Sequence, residues 1–220
     1  MRSDSELKRD VLTELAWDPQ VPQTHVGVAV DGGVVTLYGH LDTYEQKVAA
    51  KRAAERVSGV RAVALELDVI PLRGHVRTDP EIAHAINNAL AWSTLVAGEQ
   101  VQPTVEKGWV TLNGELDWHY QRRVVERLVR PLKGVVGITD SMRLKPRNSP
   151  AALTALIQAA FSRQAEREAK HIHVEVSGHT VTLRGRVHSW ADRNAAEGVA
   201  WSAPGVTRVN NKLVVDMYRN

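Results

Sequence analysis

His171, His173 and Glu175 alternate along the chain, so on an extended backbone their side chains leave on one side. Two imidazoles and a carboxylate at that spacing are half of a zinc or nickel site, which needs three or four converging ligands. His25 recurs at the position of His171 in another part of the chain, but no fourth ligand is evident. The plainer reading is a solvated edge strand, and no metal or other cofactor is expected. The chain has no cysteine, which removes thiolate nucleophiles, disulfides and sulfur-ligated zinc. A nucleophile elbow, a phosphate loop and a paired-carboxylate motif are also missing from the sequence, so catalysis is not expected.

The side chains better placed for work are aromatic and basic. Six tryptophans stand against one phenylalanine. Trp17 and Trp92 each lie 22 residues before the glycine of a Val-Thr-Leu-x-Gly stretch, at the end of a helical pattern. Such an indole can anchor at a lipid headgroup boundary, or it can pack over the rim of its own core. Trp109 falls on the outward side of a strand, and Trp118 stands where a helix cap is expected. Together they imply an aromatic contact surface or a buried interface. Arg123, Arg127 and Arg130 follow at i, i+4 and i+7, on one side of a helix with Arg122 and Lys133 nearby. They form either a surface for anionic headgroups or an ordinary solvated face.

The elements that hold these residues repeat. Val35-Thr36-Leu37-Tyr38-Gly39 leads to Gly59-Val60, Val110-Thr111-Leu112-Asn113-Gly114 to Gly134-Val135, and Val181-Thr182-Leu183-Arg184-Gly185 to Gly205-Val206. In each copy the glycines stand 20 residues apart, and the copies are offset by 75 and then 71 residues. A 220-residue chain thus divides into three units, expected at 1–70, 76–146 and 149–217. Net charge rises from −2 over residues 1–74 (nine basic, eleven acidic) to +2 over 75–147 (ten, eight) and +3 over 148–220 (nine, six). The total of +3 is too small to imply nucleic acid. The gradient favours head-to-tail contact, within or between chains.

Each unit reads as helix–strand–strand–helix–strand. In the first, Leu7, Val11 and Leu15 carry a helix that begins at a Ser3–Glu6 capping box and stops at Asp18-Pro19. Val26, Val28 and Val30 alternate into the turn Asp31-Gly32-Gly33, and Val35 and Leu37 return. Thr43–Gln46 opens a second helix with a small face of Ala49, Ala50 and Ala53. Gly59 is placed at its C′ position, and Val60 begins the third strand. In the second unit Asp79 is read as N-cap with Pro80 at N1, and Pro103 marks an edge strand. Ser149-Pro150 opens the third unit, whose first helix carries Leu153, Leu156 and Ile157. Two helices cover one face of a three-stranded mixed sheet, giving an α+β fold of three two-layer units whose other sheet face, bearing Thr36, Thr111 and Thr182, stays open. Those open faces are where self-association is expected.

The turn glycine, Val-Thr-Leu-x-Gly, a helix, and then Gly205-Val206-Thr207-Arg208-Val209-Asn210-Asn211-Lys212-Leu213-Val214-Val215 resemble the BON domain of bacterial osmotically inducible and nodulation proteins. Leu65 and Asp140 stand where that pattern has Asn211. The resemblance implies a non-enzymatic stress-response module that binds phospholipid surfaces. A chaperone-like scaffold for client proteins, or a potassium sensor, are alternatives among its relatives. The motif glycines Gly39, Gly59, Gly114, Gly134, Gly185 and Gly205 are then scaffold. Residues Met1 to Glu6 lead into a helix with no apolar signal region, and no run of 18 apolar residues occurs. A cytoplasmic location, peripheral to the inner membrane, is expected, or a periplasmic one if the N-terminus was trimmed.

Overall fold

The computed structural model describes residues 3–96, 98–146, 172–203 and 205–215. The helix expected after Ser149-Pro150 lies outside them, as does His171. Within the first repeat the order is α1 (Asp4–Trp17), β1 (Val26–Asp31), β2 (Val34–Leu41), α2 (Tyr44–Arg56) and β3 (Ala62–Val69). The second repeat has α3 (Asp79–Ala91), β4 (Val101–Glu106), β5 (Trp109–Leu116), α4 (His119–Val129) and β6 (Gly137–Leu144). In the third, β7 (Ile172–Ser177), β8 (Thr180–Val187), α5 (Trp190–Ser202) and β9 (Arg208–Val215) are described. Each repeat has its own three-stranded sheet, with β2, β5 and β8 as the central strands. Pro103 therefore lies on an edge strand, where proline is tolerated.

The first two strands of a repeat form an antiparallel hairpin and the third joins in parallel, with Val35 beside Val63 and Val181 beside Val209. A parallel neighbour requires a crossover, which α2 and α5 supply. One sheet face receives the helices. In the first repeat Leu7, Val11 and Leu15 meet Val35, Leu37 and Leu41 there. Ala49, Ala50, Ala53 and Ala54 are all buried, and their small size lets α2 lie close to the strands. Ile82, Ile86, Leu90, Val110, Leu112, Val125 and Met142 are the corresponding buried residues of the second repeat. Val181, Leu183, Ala196, Ala200 and Leu213 serve the third.

Two local details correct the reading of the caps. Thr78, not Asp79, is the N-cap of α3, closing a capping box with Glu81. That frees Asp79, in the first turn, for another task. Its two carboxylate oxygens accept from the backbone N–H groups of Lys107 and Gly108, each at 2.8 Å. Asp4 does the same for Gly32 and Gly33 at 2.9 and 3.1 Å, so in both repeats the first helix pins the hairpin turn. Pro150 takes the equivalent sequence position in the third repeat and has no carboxylate to offer.

The glycines also divide into two kinds. α2 ends at Arg56 with Val57 as C-cap, so Gly59 lies beyond the C′ position, though its φ of +113° does need glycine. Gly39 lies inside β2 rather than at a turn, with φ +124°. A Cβ there would run into the carbonyl oxygen of His25. Gly114 and Gly185 hold the same place and the same backbone state in β5 and β8. The described residues group into two compact units, those within 3–113 and 124–141 and those within 114–123, 142–146 and 172–215.

Candidate functional site

Trp17 is the last residue of α1 and is 84% exposed, and Trp92, the C-cap of α3, is 89% exposed. The alternative of packing over the rim of each core is therefore overturned for both. The cause is local: the buried stripe of α1 is Leu7, Val11 and Leu15, and that of α3 is Ile82, Ile86 and Leu90. Each tryptophan stands two residues past the last of its stripe, about 200° around a helix turning 100° per residue, and so faces away from the sheet.

Trp109 lies on the open face of its sheet, as its alternation implies. Its ring covers Gly137 on the neighbouring strand, and its indole N–H donates to Thr139 Oγ1 at 2.9 Å. Tyr38 covers Gly27 on β1 in the same manner in the first repeat. Aromatic cover of a strand glycine is a sheet-stabilising device, so Trp109 has a structural task. Thr104, Glu106, Lys107, Thr111 and Val136 complete a hollow of about 380 Å³ around it. Trp118 holds the N-cap position of α4 and is half-buried. The hydroxyl half of the capping box is absent with it, but Gln121 Oε1 still accepts from the N–H groups of Asp117 and Trp118, both at 3.0 Å.

The basic face of α4 is narrower than its spacing implies. Arg123 and Arg127 are exposed. Arg130 is not one of them: it lies one residue past the helix, with only 11% of its side chain exposed. Its Nε stands 3.6 Å from Glu45 and its Nη2 3.6 Å from Glu126. Arg122 points the other way, donating to the carbonyl of Met142 at 2.6 Å. Lys47 does so to Leu67 at 2.6 Å, and Arg193 to Leu213 at 3.3 Å. A basic residue thus ties the second helix to the third strand in every repeat. The signal was present in the sequence, since Lys47, Arg122 and Arg193 align under the glycine offsets.

Tyr44 opens α2 and meets the second repeat through Arg130, Glu126 and the backbone of Ile138. Burial raises its phenol above the ordinary range, with Arg130 acting in the opposite direction. His173 and Glu175 do share one exposed face, but Glu175 turns to Arg184, 3.7 Å away. Among the described residues no three His, Asp or Glu side chains converge as a metal site would need. No helix among them is long and apolar enough to cross a membrane.

The geometry describes a tandem array of small two-layer α+β modules, with surface features that differ from copy to copy. The chain belongs to the BON domain family, whose model matches residues 3–71, 78–146 and 149–217. It is similar to osmotically-inducible protein Y of Escherichia coli K12, at 23% identity over 148 residues, 64% of this chain and 74% of the relative. Two solved structures of CdsD, a structural protein of the type III secretion system of Chlamydia trachomatis, also align. One, of its C-terminal domain, covers 98% of this chain and all of the other. The second covers 96% and 92%. Both are 14% identical with a TM-score of 0.26.

Proposed function

We propose that this stress-associated BON protein is a non-enzymatic binding protein that docks peripherally on anionic phospholipid surfaces, with Trp17 and Trp92 as its anchors. The observation that carries the reading is their near-complete exposure at equivalent helix ends. An indole that buries almost nothing adds little to folding, while its apolar ring and polar N–H suit the headgroup boundary of a bilayer. Exposed Arg123 and Arg127 would add electrostatic attraction, about 1 kcal/mol for each basic residue near an anionic surface.

Co-sedimentation of the full chain with phosphatidylglycerol-containing vesicles, against phosphatidylcholine alone, tests this. The wild type is expected to pellet with the anionic vesicles, and Trp17→Ala/Trp92→Ala to stay in the supernatant with an unchanged unfolding midpoint. Failure of the wild type to pellet, or full pelleting of the double variant, removes the lipid reading. In the first case, suppression of client aggregation without lipid would favour the chaperone-like alternative.

A further inference from the structure

Each sheet keeps one face for its helices and presents the other to solvent, and the solvent faces of the first and third sheets carry opposite charge. On the first sheet the register places Asp31 with Val34, Ala29 with Thr36 and Ala64, Tyr38 with Gly27 and Glu66, and His40 with Asp68 on that face. Its formally charged residues are Asp31, Glu66 and Asp68, all exposed, and no lysine or arginine in these strands joins them. On the third sheet one row is His173, Arg184 and Lys212, the next Glu175, Thr182 and Asn210. Thr180 with Arg208 and Arg186 with Val214 complete it. Among the described residues of this face, Arg184, Arg186, Arg208 and Lys212 stand with one acid, Glu175, which lies beside Arg184. Three acids on one face thus meet a net of three bases on the other.

The middles of both faces are low: Gly27, Ala29, Thr36 and Ala64 on the first, Thr180, Thr182 and Asn210 on the third. Tyr38 and Val34 on one, and Val214 on the other, add exposed apolar surface. Two such faces are suited to the face-to-face packing of sheets. Each repels its own kind, since like charges juxtaposed across an interface are costly.

We infer that these faces are the two halves of one contact between copies of this chain, the first sheet of one copy laid on the third sheet of another. The matched opposite charge argues for a second copy over a membrane, because a lipid surface would use the basic face and leave the acidic one without a counterpart. The contact joins different patches, so two copies either make it twice and close, or go on adding copies. Three short strands on each side place it at the small end of specific interfaces. Association is therefore weak and weakens further with salt, as Debye screening requires.

The test is sedimentation velocity of the full chain at low and high salt. The wild type is expected to associate reversibly at low salt and to dissociate as salt is raised. Arg208→Glu/Lys212→Glu and, separately, Glu66→Lys/Asp68→Lys should each weaken association by about tenfold or more. Mixing the two variants should restore it, because each then offers the complement of the face altered in the other. A wild type that is monomeric at every salt concentration overturns the inference. So does association that both charge reversals leave intact, or a mixture that fails to recover. A chain that stays monomeric but loses anionic-vesicle binding on Arg208→Glu/Lys212→Glu would assign the basic face to lipid instead.

Discussion

His119 lies flat on Trp201, ring centroids 4.1 Å apart and planes 5° from parallel. His119 is the first residue of α4, and the glycine offset gives it the place that Tyr44 holds at the start of α2. Trp201, near the end of α5, aligns in turn with Arg130. The start of the second helix of one repeat therefore meets the end of the second helix of the next, once through Glu45 and Arg130 and once as His119 on Trp201. The chemistry changed from an ion-pair cluster to a ring stack, while the position was kept.

The first of these contacts should be measurable as a coupling. Arg130 is held between Glu45 and Glu126 with little of its side chain in water, so screening is weaker than for a surface pair. A double-mutant cycle with Glu45→Gln and Arg130→Gln, read by urea unfolding of the full chain, is expected to give about 0.5–1 kcal/mol of coupling. Zero coupling at low salt would mean that the ion pair does not hold the two repeats together.

Trp109 and Gly137 make a sharper prediction, because the sign of one substitution should depend on the other. A methyl at residue 137 runs into the indole, and overpacking of that kind costs about 1–3 kcal/mol. The φ of Gly137 is not positive, so the backbone itself accepts alanine. In a Trp109→Ala background the same change should be neutral or stabilising by about 0.4–1 kcal/mol, through the lower entropy of the unfolded chain. Unfolding of the four proteins in urea decides it, and equal penalties in both backgrounds would refute steric cover as the cause.

The repeat, the mixed sheet and the core were legible because they rest on short-range signals: alternation, helical spacing and glycines at fixed offsets. Thr36, Thr111 and Thr182 fall on the open faces for the same reason. The contact residues were harder. Arg130 shares a helical spacing with Arg123 and Arg127, yet its fate is decided by Glu45 in another repeat, 85 positions away. Trp17 and Trp92 were located at helix ends, but rim and solvent readings gave the same pattern. Only the angle past the buried stripe separates them. Asp79 reads as the cap from sequence because Asp-Pro is a strong start signal, whereas the Thr78–Glu81 box begins one residue before it. Its actual task, holding the Lys107–Gly108 turn, depends on a partner 28 residues on that no local rule names.

The same capping box gives a pH dependence whose sign can be worked out. Glu81 Oε2 accepts from the backbone N–H and the hydroxyl of Thr78, both at 2.8 Å. The backbone hydrogen bond above all, then the hydroxyl, holds the carboxyl below its ordinary value of 4.5, with Arg77 acting in the same direction. A carboxyl lowered on folding is protonated first in the unfolded chain. Its contribution is therefore present above the unfolded value and is lost as pH falls through the folded one. Glu81→Gln keeps an acceptor oxygen but cannot titrate, as Gln46 and Gln121 show at the second helices. The stability difference between wild type and Glu81→Gln should stay level from neutral pH down to about 5 and then shrink with further acidification. Thr78→Ala should cost about 1 kcal/mol at neutral pH and flatten that acid limb, since the groups that lower the carboxyl are reduced. A difference that stays level through the acid range would show that the carboxylate is not held by Thr78 in solution.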